Sequence, residues 1–255
     1  MRYIDMHVEV AEKDLKPALA MAERLGWSEI CFIRSCSKPD DFLKLQKALD
    51  GLNSKVKTHT GVRLNPSKGR VQEAARKFRK QADVILVGGS EQANREASEC
   101  WEVDAIASPY LIREKDFMHQ RRSGIDYVIA RSCAERGIAV EVNFSDVLNV
   151  YGRLRAQMLG RIVQNMCICA DVGAPVLLTS GARTPYEVRA PMDLEAFLLS
   201  LELEQKDARY ALSGTLGGIL ERTAHRKDPK TILKGLTVTN WGNIQPKEKK
   251  QYGWY

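Results

Sequence analysis

Asp5, His7 and Glu9 alternate with Ile4, Met6 and Val8 in the segment YIDMHVE, residues 3 to 9. Successive side chains of an extended strand point to opposite faces, so the alternation sets Tyr3, two acids and an imidazole against an apolar side. An acid, imidazole, acid set at this period suits two jobs. It can hold a divalent ion for hydrolysis, or it can satisfy itself as the polar filling of a fold whose work lies elsewhere. Two later segments carry the same kind of face. KVKTHTGVRL (55 to 64) aligns Lys57, His59, Gly61 and Arg63, and IAVEVNFS (138 to 145) aligns Glu141 and Asn143. If the apolar faces meet outer helices, Asp5, His7, Glu9, His59, Arg63, Glu141 and Asn143 all look toward one axis or its rim.

The elements that must position them read as strand then helix, repeated. After the first strand, Asp14 can cap a helix through Leu15, Leu19, Ala22 and Leu25, with Gly26 as its stop. SEICFIR (28 to 34), the third segment above, ADVILVGG (82 to 89), VDAIASP (103 to 109), the sixth segment above and APVLLTSGA (174 to 182) continue the strands. Helical spacing falls at Asp40 to Leu49, over KGRVQEAARKFRKQ, across 122 to 136, around Leu148 to Met166, and near 193 to 204 and 207 to 222. ADVILVGG is apolar on both faces, as a strand covered by helices on each side must be. Seven such strands without a linker or a shift in composition predict one α/β domain: a single TIM-like (β/α) barrel of seven or eight mostly parallel strands with outer helices. An open doubly wound sheet is the rival, and it lacks a G-x-G-x-x-G turn after the first strand. The barrel is expected over residues 1 to 240 and a basic, aromatic tail over 241 to 255, where Tyr252, Trp254 and Tyr255 could dock on a partner.

Bulk properties narrow the setting. With 44% hydrophobic and 28% charged residues, the 255-residue chain has no apolar run of about 18 residues to span a bilayer. Its start lacks the pattern of a signal peptide, so a cytoplasmic location is expected. Six scattered cysteines show no paired zinc spacing. The net charge of +7 suits a polyanionic partner.

Several stretches resemble a known family. DMHVE, GVRL, the block IASPYLIREKDFMHQRRSGIDYVIARSCAERGIAVEVNFS and VLLTSGARTPYEVRAP are similar to archaeal ribonuclease P protein component 3, the thirty-kilodalton subunit family. The first-strand motif is shared with metal-dependent phosphoesterases of the polymerase and histidinol phosphatase family, and both families have a β/α barrel. The resemblance implies a protein subunit of the ribonucleoprotein that removes the 5′ leader of precursor tRNA. It also implies binding of the ribonuclease P RNA together with protein component 2 and the other protein subunits. The chain would bind no cofactor, and magnesium and the chemistry would sit on the RNA subunit. The alternative is a stand-alone metal-dependent phosphoesterase or nuclease using Asp5, His7 and Glu9. Two residues speak against it: Glu9 stands where the phosphoesterase motif has histidine, and Arg63 stands where an acidic ligand would be. With only four histidines in the chain, Asp5, His7, Glu9, His59, Glu141 and Asn143 read as an internal polar network matched by Arg63.

RNA contact is expected at basic residues near strand ends: Arg63, Lys68, Arg113, His119, Arg121, Arg122, Arg183 and Arg189. Ser123 and Gly124 are expected to open a helix whose exposed start, next to arginines, would take a phosphate. The competing reading pairs these arginines with Glu114, Asp116, Glu187 or Asp193. Aromatic residues are 7% of the chain and no strand interleaves them with basic ones. Contacts to phosphate and RNA shape are therefore expected rather than base stacking.

Overall fold

The structure is a computed structural model that describes residues 2–66, 70–112, 115–233 and 235–243. Strands β1 (Ile4–Val8), β2 (Glu29–Ser35), β3 (Lys57–Leu64), β4 (Val84–Val87), β5 (Ala105–Ile106), β6 (Ala139–Asn143) and β7 (Val176–Thr179) pair in chain order. All six pairings are parallel. A bridge between Val8 and Ala182 closes β7 onto β1, with the Glu9 N–H donating to Ala182 O at 2.8 Å. The result is a seven-strand, nearly closed barrel.

Helices α1 (Leu15–Arg24), α2 (Pro39–Asp50), α3 (Val71–Phe78), α4 (Glu91–Glu99) and α5 (Tyr127–Arg136) follow the first five strands. After β6 come α6 (Phe144–Leu148) and α7 (Gly152–Val172), and after β7 come α8 (Pro191–Ser200), α9 (Gln205–Ala211) and α10 (Gly214–Lys227). A small antiparallel pair, β8 (Thr231–Leu233) and β9 (Leu236–Thr237), lies outside the barrel sheet. The expected tail falls outside the described residues from position 244 onward.

Two apolar layers hold the cylinder. The outer one packs Ile30, Phe32, Val62, Ile85, Val87, Val140 and Leu178 against the helices. The inner one gathers Ile4, Met6, Cys31, Ile33, Val84 and Leu86 with Leu216 and Ile219 of α10. Thus α10 is not one more outer helix; it stoppers the end of the barrel where the strands begin. Its polar side seals that end, with Arg222 and Arg226 meeting the buried carboxylate of Asp104 at 3.0 and 3.2 Å. Lys227 meets Asp83 at 2.7 Å.

The expected alternation of the first strand needs correction. Asp5 stands beside Ile30 and Val8 beside Phe32, so three residues of β1 span two of β2. This is a β-bulge, and it resets which side chains face inward. Ile4 and Met6 belong to the inner layer, whereas Asp5 keeps register with outer-layer Ile30. Other departures are smaller. The predicted fifth strand shrinks to two residues, the long helix around Leu148 to Met166 is two helices, and α4 was unexpected. The face that α4 buries is Ala93, Asn94, Ala97 and Ser98, too small and too polar to register as an apolar stripe.

Candidate functional site

The polar network occupies the end of the barrel where the strands finish. His7 is buried and its Nδ1 donates to Glu141 Oε1 at 2.6 Å, while the same oxygen accepts from Thr179 Oγ1 at 2.8 Å. Burial works against a charged imidazole, but the Glu141 carboxylate outweighs it and, with Glu9, raises His7 to about 9. His7 is therefore a cation at neutral pH. Glu9 Oε1 accepts the Ser35 N–H at 3.1 Å, and its Oε2 lies 3.8 Å from His7 Nε2. Burial opposes ionisation of Glu9 too, yet these donors hold it near 2.

Asp5 has a separate task. Its Oδ1 accepts the N–H groups of Ser180 at 3.1 Å and His7 at 3.4 Å, which staples β7 to the bulge of β1. Desolvation pushes its carboxyl up to about 6, against the bonds from Ser180. A carboxyl raised in the fold is stabilising when protonated and costs stability as pH climbs through that value. Asp5→Asn should therefore gain stability relative to the parent between pH 5 and pH 8, by on the order of 1 kcal/mol, because only the part of the rise between pH 5 and about 6 falls inside that window. Urea denaturation at the two pH values measures it, and a pH-independent difference would contradict the assignment.

A third group surrounds Asp146 at the start of α6. It accepts from Ser108 Oγ at 2.7 Å and from the Tyr110 hydroxyl at 3.2 Å, and Arg183 approaches at 3.5 Å. Ser108 has a positive φ of 44°, a strained geometry for a residue with a side chain. Asn143 receives the Asp146 N–H on Oδ1, and Gly181 is packed against it with φ +60°. A Cβ on Gly181 would lie 1.8 Å from that same Oδ1. Gly181→Ala should therefore lower stability by more than about 1 kcal/mol and shift the thermal midpoint down.

Of the expected network, His7, Glu9 and Glu141 come together, Asp5 and Asn143 flank them, and His59 does not join. His59 Nε2 instead meets Glu29 Oε2 at 2.6 Å, toward the opposite end of the strands, where Arg2 also binds Glu29. Arg63 does face inward, in register with Ser35 and Leu86. It was expected to pair with the buried acids, but its Nε is buried without a partner. It acts on Glu9 and Glu141 through its field, and the pairing falls to His7. Among the described residues, no three His, Cys, Asp or Glu side chains stand where they could share an ion.

The arginines stand on loops at the same end. Between β5 and α5, Arg161 of α7 is buried and pins the connection. It donates to Asp116 Oδ1 at 2.8 Å and to the carbonyls of Tyr110 and Ile112 at 3.2 and 2.6 Å. Arg122 forms a two-pronged pair with Glu91 of α4, at 2.6 and 2.9 Å, and lies over the Phe117 ring. Glu91 was not among the partners expected from the sequence. Arg121 is exposed and reaches Asp116 only at 4.0 Å, with its guanidinium lying across Gly160. His119 is exposed as well. In the loop after β7, Arg183 is exposed, and Arg189 Nη1 donates to Tyr186 O at 2.7 Å. Lys68, Arg113 and Glu114 lie outside the described residues.

The phosphate site expected at a helix start is not formed. Helix α5 begins at Tyr127, and the Asp126 carboxylate accepts the Ile129 N–H at 2.7 Å, filling that position with the protein's own anion. Ser123 and Gly124 are buried before it; a Cβ on Gly124 would lie 2.1 Å from Pro109 O. Asp116, expected as an arginine partner, does accept the Arg122 N–H at 3.0 Å, whereas the sequence missed Asp146 and Arg161. Only the loop's charge pattern marked that region, because the partners are far apart in the chain.

Comparison with known proteins gives a consistent picture. The chain matches the family model described as RNase P subunit p30 over residues 2–228. Ribonuclease P protein component 3 of Methanothermobacter thermautotrophicus is 31% identical over 234 residues, covering 89% of this chain and 91% of that protein. Ribonuclease P protein component 3 of Methanocaldococcus jannaschii is 32% identical over 204 residues, covering 78% and 82%. A chain in the cryo-EM structure of archaeal ribonuclease P with mature tRNA superimposes with a TM-score of 0.72 at 26% identity, covering 97% of this chain and 100% of that one. An amidohydrolase crystal structure at 12% identity and TM-score 0.52, covering 88% and 75%, shares the fold alone.

Proposed function

This chain belongs to the RNase P subunit p30 family, and from that membership we propose how it serves the ribonucleoprotein: as a barrel that offers loop arginines to the RNA and does no chemistry of its own. It is a protein subunit of ribonuclease P, the endoribonuclease that matures the 5′ end of tRNA. One observation carries the reading. The family match spans residues 2–228, which hold the barrel and both arginine-bearing loops.

Within that frame the named side chains take different parts. Arg121, Arg183 and Arg189, held on loops by the contacts above, are assigned to RNA phosphates, with His119 beside them. Arg122, already bound at two points by Glu91, shapes the loop as well as lending charge. Arg63 supplies field from within the mouth, and Lys68 and Arg113 extend the basic set. Ribonuclease P RNA, tRNA and other protein subunits are the partners, and protein component 2 is the protein assigned to dock directly. Catalysis and its magnesium ions are assigned to the RNA subunit, and the particle to the cytoplasm. In the described residues, no helix is long and apolar enough to cross a membrane.

Reconstituted precursor-tRNA processing tests this. Omitting the chain should lower cleavage. Changing Arg121, Arg183 and Arg189 together to Gln should weaken RNA binding across sequences and make the slope of log affinity against log salt shallower, by about one for each phosphate that is no longer neutralised. Unchanged processing and an unchanged slope would refute the assignment. Cleavage of a simple phosphodiester by the chain alone, abolished in His7→Ala, would instead favour the stand-alone hydrolase.

A further inference from the structure

The loop that carries Arg121 and Arg122 also walls a groove of about 780 Å³ between α4, the start of α5 and α7. A hollow of that size can seat a ligand as large as a nucleotide or two. Two aromatic rings border it. Phe117 is 53% exposed, with the Arg122 guanidinium 5.3 Å from its centroid. Tyr127 is also 53% exposed, and its hydroxyl donates to Asp171 at 2.7 Å, which fixes the ring in place. Tyr127 further borders an adjoining hollow of about 350 Å³ beside Arg131, so it stands as a partition between two concave surfaces.

The rim is cationic. Arg95 and Arg121 line the groove and are exposed, whereas its two acids are already engaged: Glu91 by Arg122, and Asp126 by the cap of α5. Exposed ring faces beside arginines do not suit a double helix, whose bases hide their faces against one another. They suit a base out of its stack, with an aromatic ring below and phosphate at the arginines. An apolar protein anchor would gain nothing from that positive rim.

We propose that this groove binds an unpaired nucleotide of RNA, its base stacked on Phe117 or Tyr127 and its phosphate met by Arg121 and Arg95. The inference rests on the RNA-binding reading above and replaces the expectation of contacts to phosphate and shape alone. The aromatic residues lie on a loop and at a helix start, where the strand pattern of the sequence gives no sign of them.

The test uses the full chain, a short single-stranded RNA containing 2-aminopurine, and a short blunt RNA duplex. With the parent, 2-aminopurine fluorescence should be quenched on binding. The Phe117→Leu/Tyr127→Leu double variant should bind the single strand roughly tenfold more weakly and lose the quenching, with duplex affinity unchanged. Tyr127→Phe should retain both, because the ring remains. Photocrosslinking of a 4-thiouridine strand to the parent chain, which needs no variant, should label residues 117 to 127. Equal single-strand affinity in the leucine variant, or a crosslink elsewhere, would overturn the groove assignment while duplex binding still upheld the wider reading. Failure of the parent to bind either RNA would overturn both. If the leucine variant kept its RNA affinity but lost a partner protein of the particle, the groove would be a protein anchor.

Discussion

Glu141→Ala should cost about 3–5 kcal/mol of folding stability, the range for breaking a buried ion pair by removing one partner. The carboxylate is inaccessible to solvent and meets His7 at 2.6 Å. Without it the imidazole would be stranded as a charge in a dry interior, or would lose its proton. The pH dependence identifies the mechanism. His7 is raised above its ordinary value of 6.5 to about 9 in the fold. Its contribution is therefore complete below the ordinary value and lost as pH rises from there through about 9. The parent should lose stability across that alkaline window. The variant should be nearly flat there. Urea midpoints from pH 6 to pH 10 give the comparison, and parallel curves would show that the pair is not coupled as described.

Asp104→Ala should be of similar size, again about 3–5 kcal/mol, for a different reason. Asp104 is fully buried and accepts the Ile85 N–H at 2.9 Å while holding Arg222 and Arg226. Arg226 is itself buried, so the substitution leaves a guanidinium with too few acceptors at the stoppered end. The double variant Asp104→Leu/Arg226→Met removes both charges and should recover part of the loss. A double variant no better than Asp104→Ala alone would place the damage in the missing Ile85 bond rather than in the stranded cation.

The barrel was legible because its two periodicities are plain: ADVILVGG can only be covered on both faces, and helical spacing separates the strands. The bulge at β1 was not, since one extra residue carries no glycine or proline to mark it, and it moves Met6 inward and Asp5 out of the expected face. Helix α4 hid behind alanines. In α10, Leu216, Ile219, Arg222 and Arg226 have the spacing of any amphipathic helix. Nothing local tells that the first two enter the cylinder and the last two seal it. The mouth was partly legible. His7, Glu9 and Glu141 converge as their alternation suggested, but His59 shares a strand face with Arg63 and still lies too near the other end to reach them. Charge density pointed to the 113 to 122 loop and to Asp116 as a partner within it, yet which arginines it commits internally depends also on Glu91 and Arg161, which only the packing of α4 and α7 reveals.

The stopper formed by α10 is also a matter of timing on the ribosome. Leu216 and Ile219 are translated long after the seven strands, so a nascent chain that has not yet reached them holds an open-ended tube with apolar lining and Asp104 without its cations. Such an unfinished barrel exposes the greasy surface that draws nascent chains into clumps or onto chaperones. Helix α10 therefore works as a latch: the barrel completes only once Gly214–Lys227 has been made.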